Sequence, residues 1–162
     1  MCALSLACGE PRESVVEDGE QATAFCEASC ARGFECGSPG SSESCRSYCE
    51  QNLVWFDRYR PEAIQIVASC IRDVSCASFF VEGSFDPCWD RAQRELDPTQ
   101  SLRRFCRSWS ERWFECGSSY AVEECEFDWG LNAAWFLERM LECTEGTCEA
   151  LPQCTDTVVS VP

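Results

Sequence analysis

The chain has no histidine and no lysine, and no two of its cysteines are spaced CxxC. Lack of histidine removes the commonest general base, the Ser-His-Asp and Cys-His arrangements, and the commonest metal ligand. Lack of lysine removes Schiff-base chemistry. Lack of a CxxC pair takes away the usual spacing of thioredoxin-like redox sites and paired zinc knuckles. Strand-forming alternation is weak throughout, and no recognisable catalytic or ligand motif is present. Positive charge is scarce: 13 arginines face 28 acidic residues, for a formal charge of -15. Nucleic acid and anionic membrane are poor partners for such a surface.

What is abundant is cysteine, sixteen in 162 residues. That density marks a disulfide scaffold, and disulfides persist where the compartment is oxidising, so an extracytoplasmic setting is expected. Units of about 60 to 70 residues bury only about 60% of their unfolded surface, which is why small exported units add cross-links.

Residues Ala3 to Ala7 are small or apolar and run into Cys8-Gly9, after which the chain turns polar through Glu10, Pro11, Arg12 and Glu13. The stretch Leu4-Ser5-Leu6-Ala7-Cys8-Gly9 resembles the end of a bacterial lipoprotein signal. The resemblance implies cleavage before Cys8 and a lipid carried by Cys8, and Gly9 in place of aspartate implies outer-membrane sorting. Residues 1–8 then read as the remnant of a signal, and 9–21, acidic and without periodic apolar residues, as a flexible tether. Setting aside Cys2 and Cys8 leaves fourteen cysteines between Cys26 and Cys154, enough for seven bridges without an orphan.

Laid on itself at an offset of 80, the chain matches Phe25-Cys26 with Phe105-Cys106, and Phe34-Glu35-Cys36-Gly37-Ser38 with Phe114-Glu115-Cys116-Gly117-Ser118. Ten of the 21 positions from 25 to 45 are identical, which predicts two tandem cysteine-rich repeats, 22–98 and 99–154, ahead of a tail at 155–162. Trp55-Phe56 matches Trp135-Phe136, and beyond it the second copy is shorter by about two helical turns. Cys26, Cys36, Cys45, Cys70, Cys76 and Cys88 correspond in order to Cys106, Cys116, Cys125, Cys143, Cys148 and Cys154. Cys30 and Cys49 are replaced by Ser110 and Trp129.

The pattern predicts an all-α fold of disulfide-stapled helical hairpins. Apolar residues at three- and four-residue steps place helices at 22–36 and 100–116, with Gly37 and Gly117 as left-handed stops and Asp97 as the N-cap of the second. Further helices are expected at 44–58, from Pro61 to about Asp73, and from Asp86. Two cysteines lost together suggest partners, so a Cys30–Cys49 bridge is expected, with Cys36–Cys45 and Cys116–Cys125 clamping the hairpin loops. The alternative, Cys26–Cys49 with Cys30–Cys45, would leave half of each bridge missing in the second copy. Pairing among Cys26, Cys70, Cys76 and Cys88, and among Cys106, Cys143, Cys148 and Cys154, stays open.

Candidate chemistry is sparse. Glu123, Glu124, Glu126 and Asp128 are dense enough for a carboxylate pair of the glycosidase kind, but such runs are most often solvated faces. Trp55, Trp109, Trp113 and Trp135 fall on inferred core faces. Trp55, Arg58, Tyr59 and Arg60 form the one local cluster with binding character. The expectation is a non-catalytic envelope lipoprotein, held at a membrane only through its N-terminal lipid. It would need no cofactor or metal and would serve an unidentified protein or glycan partner; the alternatives are a soluble secreted toxin, inhibitor or signalling protein, and after it a carboxylate-based hydrolase.

Overall fold

The computed structural model describes residues 20–160. Cys2, Cys8 and most of the tether lie outside them. Among the described residues there are nine α-helices and no strands, so the fold is all-α and disulfide-rich.

The first half opens with α1, Glu20–Glu35, whose Ala22, Phe25, Cys26, Ala28 and Cys30 are buried. Gly37, at φ +92°, reverses the chain: its amide donates to the Phe34 carbonyl and the Ser38 amide donates to the Gly33 carbonyl, which closes the helix end. In α2, Ser42–Asn52, the Ser41 hydroxyl caps the Ser44 amide at 3.1 Å. This helix buries no side chain, and it is tied to α1 by Cys26–Cys49 and Cys30–Cys45. The segment expected as one helix to residue 58 breaks at Leu53 into a 3₁₀ turn, Val54–Arg58.

Pro61 starts α3, Pro61–Asp73, which buries Ala63, Ile64, Val67, Ala68 and Ile71 against α1 and α5. The short α4, Cys76–Phe79, and then α5, Asp86–Glu95, are fastened by Cys36–Cys76 and Cys70–Cys88.

The second half begins with α6, Gln100–Glu115, capped by the Thr99 hydroxyl at 3.1 Å from the Leu102 amide rather than by Asp97, which stands two residues too early. Gly117, at φ +83°, closes it as Gly37 closes α1. α7, Val122–Trp129, and α8, Ala134–Glu142, pack on α6 through Cys125, Trp129, Phe136, Leu137 and Met140. α9, Leu151–Ser160, takes in residues 155–160, expected to be tail. The bridges are Cys106–Cys125, Cys116–Cys148 and Cys143–Cys154.

All fourteen cysteines from Cys26 to Cys154 are therefore bridged, but not in the expected pairs: Cys30–Cys49, Cys36–Cys45 and Cys116–Cys125 are all absent. Cys26–Cys49 and Cys30–Cys45 straddle the reversal at Gly37 symmetrically, which leaves Cys36 beyond the reach of α2 and beside the start of α4. Cys116, likewise at the end of its helix, meets Cys148 instead of Cys125, which faces Cys106.

The halves meet along a short antiparallel seam. Tyr59 pairs with Asn132, the Arg60 amide donates to the Leu131 carbonyl at 2.8 Å, and the Ala133 amide donates to the Arg58 carbonyl at 2.7 Å. Leu131 inserts into the core of the first half. No helix among the described residues is long and apolar enough to cross a membrane.

Candidate functional site

The seam positions a cleft. Tyr59 and Arg60 run extended from the end of the 3₁₀ turn to Pro61, and Asn132 pairs with Tyr59 just ahead of α8, so Arg58, Tyr59, Leu131 and Asn132 come together at the junction. α5 brings Trp89 to it, α7 brings Asp128 and Trp129, and α8 brings Phe136. The result is a cleft of about 420 Å³.

Its walls are largely aromatic. Tyr59 and Trp89 lie 5.1 Å apart between ring centroids, and the Trp129 and Phe136 rings stack at 6.2 Å. Trp89 also packs on Phe25 and Phe56, and Trp129 on Phe105 and Trp109, so each indole is held by its own half's core. Four of the lining rings, Tyr59, Trp89, Tyr120 and Trp129, are only half-buried.

Polar groups are few and of both signs. The Arg58 guanidinium lies 5.2 Å from the Tyr59 ring centroid and 6.0 Å from that of Phe136, within cation–π range. The Tyr120 hydroxyl donates to Asp128. Partial burial, and then that bond to the carboxylate, push the Tyr120 phenol above its ordinary pKa. Asn132 is buried and donates from Nδ2 to the Trp129 carbonyl at 3.2 Å.

Of the cluster singled out in the sequence, Arg58 and Tyr59 line this cleft. Arg60 does not: its guanidinium reaches the Asp97 and Gly130 carbonyls at 3.1 and 3.4 Å and pairs with Glu62 at 3.8 Å, so it fastens the seam. The Trp55 side chain lies outside the described residues. Trp109 is buried and Trp113 packs against the second core, as expected. Trp135 departs from expectation: it is 50% exposed, and its indole donates to the Asp57 carbonyl at 3.1 Å.

Of the carboxylate run, Glu123 and Glu124 are exposed, Glu126 is half-buried, and Asp128 alone lines the cleft. Among the described residues no group of three histidine, cysteine, aspartate or glutamate side chains is placed to hold a metal ion. Trp89, Tyr120, Trp129, Asn132 and Phe136 were not singled out as site residues by the sequence. Tyr59 and Asn132 are 73 positions apart, and nothing in the periodicity announces their pairing.

A second hollow, about 310 Å³, lies under the α1–α2 loop between Phe34, Tyr48 and Phe79. It is lined by serine, glycine and apolar side chains and by no charged group. No protein family matches the chain, and no curated protein or solved structure is significantly similar to it.

Proposed function

We propose that this chain is an exported, non-catalytic envelope lipoprotein: a lipid on Cys8 holds it at the outer membrane, and its folded body presents the cleft between the halves to a partner. The observation that carries the reading is the complete bridging of Cys26 to Cys154, which calls for an oxidising, extracytoplasmic compartment. The lipoprotein-like run Leu4 to Gly9 supports the anchor. The cleft, mostly aromatic with a few convergent polar groups, has the make-up of a small-ligand site and supports the binding role.

The same proposal takes the halves as copies of one stapled unit. α6 begins and ends 80 residues after α1, and α7 begins 80 residues after α2. Cys36–Cys76 and Cys70–Cys88 correspond to Cys116–Cys148 and Cys143–Cys154.

The test is the intact mass of native exported protein, unreduced, after free thiols are blocked. The expected species begins at Cys8, carries acyl mass and has no blocked thiol. A soluble species that retains residues ahead of Cys8 would replace the anchored protein with a secreted one, and several blocked thiols would reopen redox or metal roles for the cysteines.

A further inference from the structure

We infer that the cleft between the halves binds a neutral saccharide of one or two rings. The inference rests on the binding role proposed above and adds the chemical class of the ligand.

The argument runs by charge and by surface. Aromatic walls of this kind suit a quaternary ammonium group, and Asp128 and the chain's charge of -15 would draw one, but the Arg58 guanidinium already occupies the Tyr59 and Phe136 faces, so an incoming cation has to compete with it there. An anion would find Arg58, but it would also meet the Asp128 carboxylate and a chain of formal charge -15. A wholly apolar ligand would strip water from Arg58, Asp128 and the Tyr120 hydroxyl without replacing the hydrogen bonds lost.

A neutral sugar meets none of these penalties. The C–H face of a pyranose packs on a half-exposed indole or phenol, while each hydroxyl both donates and accepts. It can therefore accept from the Arg58 guanidinium and donate to the Asp128 carboxylate in one pose. The size agrees: about 420 Å³ lies toward the small end of the range of about 300 to 1,000 Å³ for small-molecule sites, room for one or two rings and not for a long chain.

The experiment is a tryptophan-fluorescence titration of the disulfide-intact protein, since Trp89 and Trp129 both line the cleft. The probes are N-acetylglucosamine, chitobiose, maltose, cellobiose and mannobiose, with choline and inorganic phosphate as contrasts. A saturable change with at least one sugar is expected. Arg58→Gln and Asp128→Asn should each weaken it about tenfold, the order of one hydrogen bond to a charged group. Glu123→Gln, on an exposed position of α7, should leave it unchanged. Circular dichroism of each variant separates lost binding from lost fold.

Saturation by choline or phosphate in preference to every sugar overturns the inference. So does silence of all five sugars, or sugar binding that survives both cleft variants. Hydrolysis of the bound sugar, abolished in Asp128→Asn, would overturn the non-catalytic reading of the preceding section while upholding the site. An acylated, fully bridged protein that ignores sugars would overturn this inference alone.

Discussion

The two hairpins, α1–α2 and α6–α7, start from corresponding residues and are stapled in different registers. In the first, Cys26 meets Cys49 and Cys30 meets Cys45. In the second, Cys106, the counterpart of Cys26, meets Cys125, the counterpart of Cys45. The second pair is displaced by four residues, one helical turn or about 6 Å of axial slide. At the offset of 80, Ser110 and Trp129 stand opposite Cys30 and Cys49, one member of each first-half bridge, and the other two positions, Cys106 and Cys125, are joined to each other. Residues one turn apart share a helix face, so the slide keeps the same faces together and needs no rotation.

What holds the second helix in place differs accordingly. α2 buries no side chain and depends on its two bridges, whereas Trp129 on α7 packs on Phe105, Trp109 and Phe136. A second exchange lies one turn further along. Gly33 is buried beneath Phe79, whose ring would stand 3.2 Å from a Cβ there, while its counterpart Trp113 supplies bulk of its own to the second core.

The largest effect should come from replacing Cys26, Cys30, Cys45 and Cys49 together by serine. With each bridge worth about 3 kcal/mol, α2 should come away from α1. Limited proteolysis should then cut within residues 42–52, while Cys106→Ser with Cys125→Ser leaves α7 protected. Equal susceptibility of α2 and α7 would break the contrast.

Trp129→Ala should cost about 2 kcal/mol in urea unfolding, less than truncation of a fully buried aromatic because the indole is half-exposed. Its complement is Ser110→Cys with Trp129→Cys, which restores the first half's cysteine set. Peptide mapping without reduction should find Cys106 joined to residue 129 and Cys125 joined to residue 110, with α7 slid back by a turn. Survival of Cys106–Cys125 would mean that packing, and not cysteine placement, sets the register.

Ser110→Ala should raise stability by about 1 kcal/mol, because the Ser110 hydroxyl is buried without a hydrogen-bond partner in the described structure. A thermal shift downward would show that it has one.

The smallest effect is spectroscopic. The Tyr120 phenol keeps its proton above the usual tyrosine range, so its contribution to stability is complete below about pH 10, the ordinary value, and is lost as pH rises through the higher folded value. Alkaline absorbance titration should show Tyr120 ionising late, and Asp128→Asn should bring it back toward the ordinary tyrosine value.

Much of the helical plan was legible. Pro61 with Ile64, Val67 and Ile71 marked α3 to its observed ends, and the glycines at 37 and 117 stopped α1 and α6 where a positive φ was needed. Joint absence of two cysteines does not make them partners: Cys30 and Cys49, without counterparts at the offset of 80, each belong to a different pair. The correspondence of Phe56 with Phe136 also failed in space. Phe56 lies in the 3₁₀ turn before α3, whereas Phe136 lies inside α8, whose buried Phe136, Leu137 and Met140 match Ala63, Ile64 and Val67. The second half thus has no counterpart of the 3₁₀ turn, and the residues just ahead of α3, Arg58 to Arg60, answer instead to Leu131 to Ala133 just ahead of α8, the two sides of the seam. The cleft was illegible for a related reason: it forms where those two short segments lie side by side, and its walls are completed by Trp89 of α5 and by α7 and α8.

Among the described residues, finally, no bridge spans the junction between the halves. Four close between Cys26 and Cys88 and three between Cys106 and Cys154, with sequence separations from 11 to 40. A chain emerging from a translocation pore amino end first can therefore complete its first four crosslinks before Cys106 appears. The oxidant that serves it need never sort fourteen thiols at once, only those of the half already outside.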